Sequence, residues 1–290
     1  MAATEGAIKK ADLAKAREID YVWRFSDDIR GLVTLLGTTR FIPVQSGTLL
    51  KAYKTTGELL DGSQVEEGAT IPLSNFKTQV AFTKEAIIKK YRKASTAEAI
   101  LKGGYDQAVI DTNKKALSEA HKVIKSDLLD ALTPQSGTTA ASGLGLQKTL
   151  ANASAKLAIK FEDTDYEAVH FVNPEDLADY LGNAQISLQS RYGLKYLEDF
   201  LGLGMVIVMS GVTKGTTIST AKENIQSYYI NVDEQNGLEI FDFTTDELGL
   251  VGIHTAPTHN NMSVETVMVD GINFFPERVD GIISGTIENP

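Results

Sequence analysis

Between Tyr105 and Leu132 one apolar stripe runs without a break: Ile110, Leu117, Ala120, Ile124, Leu128 and Ala131 recur at intervals of three, four or seven. That spacing places side chains on a single helix face. Asp111, Lys114, Lys115, Glu119, Lys122 and Lys125 cover much of the remaining surface, and Pro134 and Gly137 supply the stop. At 1.5 Å per residue the predicted helix is roughly 40 Å long. Such a length suits a girder, with Ile110, Leu117, Ile124 and Leu128 expected to pack against strands from the C-terminal part of the chain.

Strand-like texture flanks this helix on both sides. From Phe41 to Val80, Ser46-Gly47, Thr56-Gly57, Asp61-Gly62 and Glu67-Gly68 punctuate short alternating stretches, the chemistry of tight turns. Its few large apolar residues cannot build an independent core, so a two-stranded excursion that needs a partner surface is predicted. Residues 76–93 read equally as strand or helix. With Lys77, Lys84, Lys89, Lys90, Arg92 and Lys93 against Glu85, they contain the most basic stretch. Residues 8–36 read as helical with irregular anchors, either an arm that packs on something else or an ordinary surface helix.

Beyond the central helix, Gln135 to Gly145 reads as a small-residue linker. A mixed unit follows, with helices over 146–160 and after Pro174 and strands over 168–172, 205–209 and 225–232. Asn173-Pro174-Glu175-Asp176 has the order of a helix start. Strands are then expected over 238–243, 250–254, 264–269 and 282–287. This order fits two subdomains, the second inserted into the first.

Composition removes several classes of function. The 290 residues include no cysteine, which excludes disulfides and thiolate chemistry. The net charge of -10 comes from residues 231–290, where eleven acids face the single Arg278. An acidic surface of this kind disfavours sequence-specific nucleic-acid binding. Met1 to Lys10 has no apolar signal-peptide core, and no run approaches the ~18 to 20 apolar residues of a membrane span. A protein made inside the cell is expected.

No catalytic pattern stands out. His254 and His259, with Glu265 and Asp270 nearby, lack the spacing of a helical two-histidine metal site, and contacts in a polar loop or between subunits explain them better. His121 and His170 read as half-buried structural rings. Ser210-Gly211 and Ser142-Gly143 lack the surroundings of a nucleophile elbow. Gly202-x-Gly204 precedes a strand instead of following one, so it is not a phosphate loop. No enzyme activity, metal or cofactor is predicted.

Four motifs carry a resemblance: 57–74 (GELLDGSQVEEGATIPLS), Val172-Asn-Pro-Glu-Asp176, Lys222-Glu-Asn-Ile-Gln-Ser-Tyr228, and 271–281 (GINFFPERVDG). In this order, along residues 20 to 288, the chain resembles the major capsid proteins of tailed bacteriophages, the family of the Hong Kong 97 phage capsid fold. The resemblance implies an α+β chain divided into an N-terminal arm (1–45), an extended E-loop (46–80), a P-domain with the long spine helix (81–145), an inserted A-domain (146–235) and P-domain return strands (236–290). It further implies a homo-oligomer of hexamers and pentamers forming an icosahedral virion shell around double-stranded DNA, assembled in the host cytoplasm without a membrane. About 20 residues precede Tyr21, where some members carry a long scaffolding region, so a separate scaffold or no scaffold is implied; a separate scaffolding protein is expected, together with a portal protein.

Lys51 and Lys54 fall where some members form lysine–asparagine cross-links, but no motif fixes an asparagine and glutamate partner, and cross-linking is not predicted. Arg92, Lys93 and Glu277 are candidates for an ion pair across a subunit seam, since a basic stretch leaving the E-loop should meet the acidic C-terminal segment. The alternatives are an encapsulin-type compartment protein and, more remotely, a mixed α/β enzyme.

Overall fold

The computed structural model describes residues 22–23, 26–31, 33–35, 41–60, 65, 70–133, 138–162, 164–182, 188–191, 194–232 and 238–288. Most of the expected arm, the tip positions 61–64 and 66–69 of the E-loop, and linker residues 134–137 lie outside them. The strands are β1 (Phe41–Pro43), β2 (Leu49–Glu58), β3 (Asn75–Glu85), β4 (Lys89–Thr96), β5 (Thr139–Leu144), β6 (Ala168–Val172), β7 (Gln189–Arg191), β8 (Leu194–Leu197), β9 (Met205–Val208), β10 (Thr216–Ala221), β11 (Ile225–Tyr229), β12 (Thr244–Thr245), β13 (Val251–Thr258), β14 (Ser263–Asp270), β15 (Ile272–Pro276) and β16 (Ile283–Glu288). The helices are α1 (Ala97–Tyr105), α2 (Thr112–Leu132), α3 (Gly145–Lys160) and α4 (Pro174–Leu181). They combine with four sheets, ordered β1-β11-β15, β5-β16-β10-β6-β9-β8-β7, β12-β13-β14-β4 and β2-β3. The fold is therefore α+β.

The predicted girder is α2 with an irregular lead-in. Thr96 caps α1 by accepting the Ala99 N–H at 3.3 Å. Gly104, at φ 79°, breaks α1 near its end, and a π-helical turn over Asp106–Asp111 joins it to α2. A π turn rotates the face that follows it, which corrects the predicted stripe: Val109 and Asn113 are buried where Ile110 was expected, and Ile110 is only half-buried. From Leu117 onward the stripe is as predicted, with Ala120, Ile124, Leu128 and Ala131 all in the main core.

That stripe packs on β15, whose five residues are all buried. Strand side chains alternate, so β15 serves two clusters. Ile272 and Phe274 enter the main core with Ile124 and Leu128, whereas Phe275 joins Leu50, Ala52 and Val279. The described residues 22–23, 26–31 and 33–35 are also helical, with Val22, Ile29 and Val33 fully buried in the same main core. Ser26 donates to buried Asp246 at 2.8 Å, so these residues pack on their own body.

The seven-stranded sheet carries α3 over β5, β16 and β10. The approach is close: a Cβ on Gly143 would lie 2.6 Å from the Thr149 nitrogen. The predicted linker is corrected here, since residues 139–144 are a strand paired in parallel with β16. Its small side chains are what let α3 lie against it. As an edge strand β5 needs protection, and α3 provides some of it: Asn152 donates to the Ser142 carbonyl at 2.7 Å and the Lys156 ammonium to that of Ala140. Residues 238–243, expected as a strand, instead form a 3-10 turn over Glu239–Phe241, with Ile240 and Phe241 turned outward.

Replacing Ile124 or Leu128 by alanine should cost about 2 to 5 kcal/mol of unfolding free energy through lost burial and a residual cavity. Alanine at exposed Lys122 should change it by less than about 0.5 kcal/mol. Urea denaturation of the three variants checks both values.

Candidate assembly surfaces

Strands β2 and β3 pair antiparallel from Leu49↔Glu85 to Glu58↔Asn75 and, among the described residues, have no other strand beside them. The register shifts between Ala52 and Tyr53, a bulge of the kind that bends and twists a ribbon. On the root side of the bulge alternate side chains turn inward, with Leu50 and Ala52 buried and Phe82 and Lys84 half-buried; beyond it every side chain of β2 and β3 faces outward. Tyr53, Leu59, Ile71, Leu73, Phe76 and Val80 are all exposed, Leu73 to 89%. A solitary ribbon with apolar side chains in water is marginal, and a continuous exposed apolar surface marks a contact site.

The root is fixed on two sides. Phe82 stacks on Phe275 at 5.3 Å between centroids, and Tyr228 meets Phe275 edge-on at 6.2 Å. The Asn273 amide holds the exit of the ribbon at both polar atoms, accepting the Ile87 N–H at 3.3 Å and donating to the Ile87 carbonyl at 3.1 Å. Lys84 donates to the Phe274 carbonyl at 3.2 Å.

Beneath this root lies a cluster of charges. Lys89 forms an ion pair with Asp127 of α2 and stands directly opposite Asp270 in the β4–β14 register. Asp270 is 2% exposed, and its Oδ1 accepts the Ile272 N–H at 2.8 Å. Burial pushes its carboxyl up to about 6, against the pull of Lys89 and of the Ile272 hydrogen bond. Burial also lowers Lys89 and Lys84, with Asp270 and Asp130 opposing it at Lys89 and Asp130 at Lys84. Tyr91 is raised to about 12 by burial and by Asp270.

The residues singled out from the sequence occupy four places. Arg92 grips Glu265 of its own chain through Nε at 3.0 Å and Nη2 at 2.5 Å, a two-bond fork that holds the Glu265 carboxyl below its usual range. The Lys93 ammonium turns inward to the Val109 carbonyl at 2.9 Å and to the Thr112 hydroxyl. Lys51 and Glu277 line one groove of about 540 Å³ at the ribbon root, together with Tyr53, Gln226, Phe275 and Arg278. Glu277 is exposed there and accepts from Gln226 at 3.3 Å. Lys54 is exposed further along β2. The fold thus joins Lys51 to Glu277, and within one chain it gives Arg92 a different carboxylate.

Sequence reasoning missed the two asparagines that organise this surface, Asn273 and Asn224. Asn224 donates to the Arg278 carbonyl at 2.9 Å and accepts the Arg278 N–H at 2.6 Å. It thereby ties Lys222–Tyr228 to Gly271–Gly281, two of the motifs that carried the resemblance. The signal was an asparagine inside each motif, with Asn273 between Ile272 and Phe274 and Asn224 just before Ile225. Two other residues weighed from the sequence have packing roles. His170 is fully buried between the Ser219 hydroxyl at 2.7 Å and the Leu203 carbonyl at 3.1 Å. Gly204 adopts φ 114°, and a Cβ there would lie 2.4 Å from the Ala168 carbonyl oxygen, so this glycine permits close strand packing. Among the described residues no group of three or more metal-ligating side chains converges, and no helix is long and apolar enough to cross a membrane.

No family model matches the sequence, and a search of curated proteins finds no match. Solved structures do match over nearly the whole chain. A virus-like particle from Pyrococcus furiosus aligns with 93% of this chain and 98% of its own, at 13% identity and a TM-score of 0.54. The capsid of cyanophage P-SCSP1u covers 88% and 87%, at 10% identity and 0.55. The SrpI encapsulin of Synechococcus elongatus covers 88% and 86%, at 8% identity and 0.51. The chain has the Hong Kong 97 phage-like fold of capsid and encapsulin shell proteins.

Raising a buried carboxyl from 3.8 to about 6 means that its ionised form is penalised in the folded state. The penalty is fully present above about pH 6 and is relieved as pH falls through 6 toward 3.8, so this group makes stability increase on acidification, by up to roughly 3 kcal/mol. Asp270→Asn should flatten that part of the curve. Urea unfolding between pH 7.5 and 4.5 checks it: the gap between variant and wild type should narrow toward low pH, and parallel curves would remove Asp270 as the cause.

Proposed function

We propose that this chain is the major capsid protein of a tailed bacteriophage, and that its copies tile an icosahedral shell around double-stranded DNA. The observation that carries the reading is the ribbon, anchored at its root and apolar along its outer length. A monomer leaves that surface wet, whereas a tiled shell supplies the same neighbour to every copy. Hexamers and pentamers are the capsomers, and a scaffolding and a portal protein are the separate partners in virion assembly. The ribbon is the E-loop, α2 is the P-domain spine, and β6 to β10 with α3 and α4 form the body of the A-domain, whose sheet is extended by β5 and β16 from the flanking P-domain segments. The chain acts as a structural subunit, and we assign it no reaction.

Lys51, Lys54, Arg92, Lys93 and Glu277 are proposed as seam residues. Lys51, Lys54 and Glu277 are exposed, so a neighbour can reach them without unfolding anything. Arg92 must share or exchange Glu265 to pair with Glu277 of another copy. A charge pair at a seam contributes more to correct register than to raw affinity.

Electron microscopy of the protein expressed with its phage partners tests the reading. Closed shells holding DNA, with one portal vertex, are expected; DNA-free shells loaded with a protein cargo would establish an encapsulin-type compartment, the second reading, which the shared fold also accommodates. A chain that stays monomeric under all assembly conditions contradicts both. In the same assay Arg92→Glu should lower shell yield more than it lowers subunit stability, and Glu277→Lys should restore part of it. Absence of coupling at low and high salt eliminates the Arg92–Glu277 seam.

A further inference from the structure

The last turns of α2 face the loop that follows β9, and a cleft of about 740 Å³ lies between them. Its floor is apolar, built from Leu129, Leu194, Met209, Val212 and Ile218, and Lys122, Lys125 and Lys195 stand around it with Asp130 as the acid among the lining residues. Lys122 is paired with Glu119 at 3.0 Å, and on a chain of net charge -10 the three ammonium groups still outnumber Glu119 and Asp130 at this rim. Burial lowers Lys125, with Asp28 opposing it, so a further anion here would meet an incompletely hydrated ammonium.

The walls are held in place independently of any occupant. Val212 N–H donates to the Met209 carbonyl at 3.2 Å, and the Asn173 amide donates to the Val212 carbonyl at 2.6 Å. Gly215 N–H reaches the Asp176 carboxylate at 2.8 Å. Gly211 is pressed so closely to the helix that a Cβ would lie 2.6 Å from Leu129 Cδ1. A concave site with an apolar floor and convergent polar groups on fixed walls is the usual form of a recognition pocket, and here seven serines and threonines share the walls with the lysines.

We propose that this cleft docks an acidic peptide segment, carrying at least one large apolar side chain, that belongs to a separate protein. The lysine rim selects the charge and the floor takes the apolar group. A DNA duplex is too wide to enter and has no apolar side group to fill the floor. Residues 231–290 of a second copy are disfavoured as donor, because Asp246 and Asp270 are buried and Glu265 is held by Arg92; a second copy docking its exposed ribbon around Glu58 and Leu59 would show as self-association that Ser126→Trp abolishes, and that result would overturn the proposal. The inference stands apart from the shell reading, since it concerns one folded chain.

The test is fluorescence anisotropy of the full chain with a labelled peptide of alternating glutamate and leucine. Controls are peptides in which lysine replaces glutamate or serine replaces leucine, and a labelled DNA duplex. The glutamate–leucine peptide should bind, and both control peptides should bind at least tenfold more weakly. Lys122→Glu with Lys195→Glu, both on exposed side chains, should weaken binding at least tenfold while leaving thermal unfolding unchanged; Ser126→Trp, which fills the cleft, should do the same. Equal binding of the control peptides, or binding indifferent to both variants, overturns the proposal. Duplex binding that Ser126→Trp abolishes would overturn it in favour of nucleic acid.

Discussion

Everything in this chain is built around β15. Its five residues are buried on both faces, and the two-residue period sends Ile272 and Phe274 toward the spine helix while Asn273 and Phe275 face the ribbon root. One short strand therefore couples a girder of about 21 helical residues to a ribbon that projects from the body. Because interiors are close-packed, a shift of the helix on one side of β15 is felt by the aromatic stack on the other. The ribbon gains a fixed direction from this coupling even though its outer length has no layer of its own.

Electrostatics at the same joint follow from burial. Lys84, Lys89, Asp127 and Asp270 come from the ribbon end, β4, the spine and β14 and are half-buried or, for Asp270, buried, with exposed Asp130 at their margin. Such groups are costly to bury and are tolerated when paired. Asp270 is the least well compensated, with one oxygen bonded and the other, Oδ2, buried without a hydrogen-bond partner. The charged root is thus a place where the fold carries strain in exchange for a defined geometry between body and ribbon.

Much of this was legible in the sequence wherever apolar periodicity or turn chemistry was strong. The stripe from Leu117 to Ala131, the strand over 168–172, the helix start at Asn173-Pro174 and the glycine-punctuated ribbon were all read directly. The failures have physical causes. Thr216–Ala221 was not read as a strand because its buried positions include Thr217, Ser219 and Thr220; two of these hydroxyls are bonded inside the core, Ser219 to His170 and Thr220 to the Gly281 carbonyl. Residues 139–144 looked like a linker because small side chains serve close helix packing as well as flexibility. Residues 238–243 looked like a strand because local alternation carries no information about which face finds a core. The π turn at 106–111 moved Ile110 off the buried face, which a fixed helical period cannot anticipate. Arg92 could be recognised as a carboxylate fork, but its partner Glu265 is set by the β4–β14 register, which lies beyond local patterning.

The central claim is that the ribbon is folded for a neighbour. Hydrogen exchange at the amides of Lys54 to Glu58 and Asn75 to Val80, measured on the unassembled chain and on assembled particles, tests it most directly. The account predicts fast exchange in the unassembled chain and protection by at least tenfold in the particle, with the root amides at Leu50 and Ala52 already slow in both. Full protection of the outer ribbon in the unassembled chain, or equally fast exchange in both states, would contradict it.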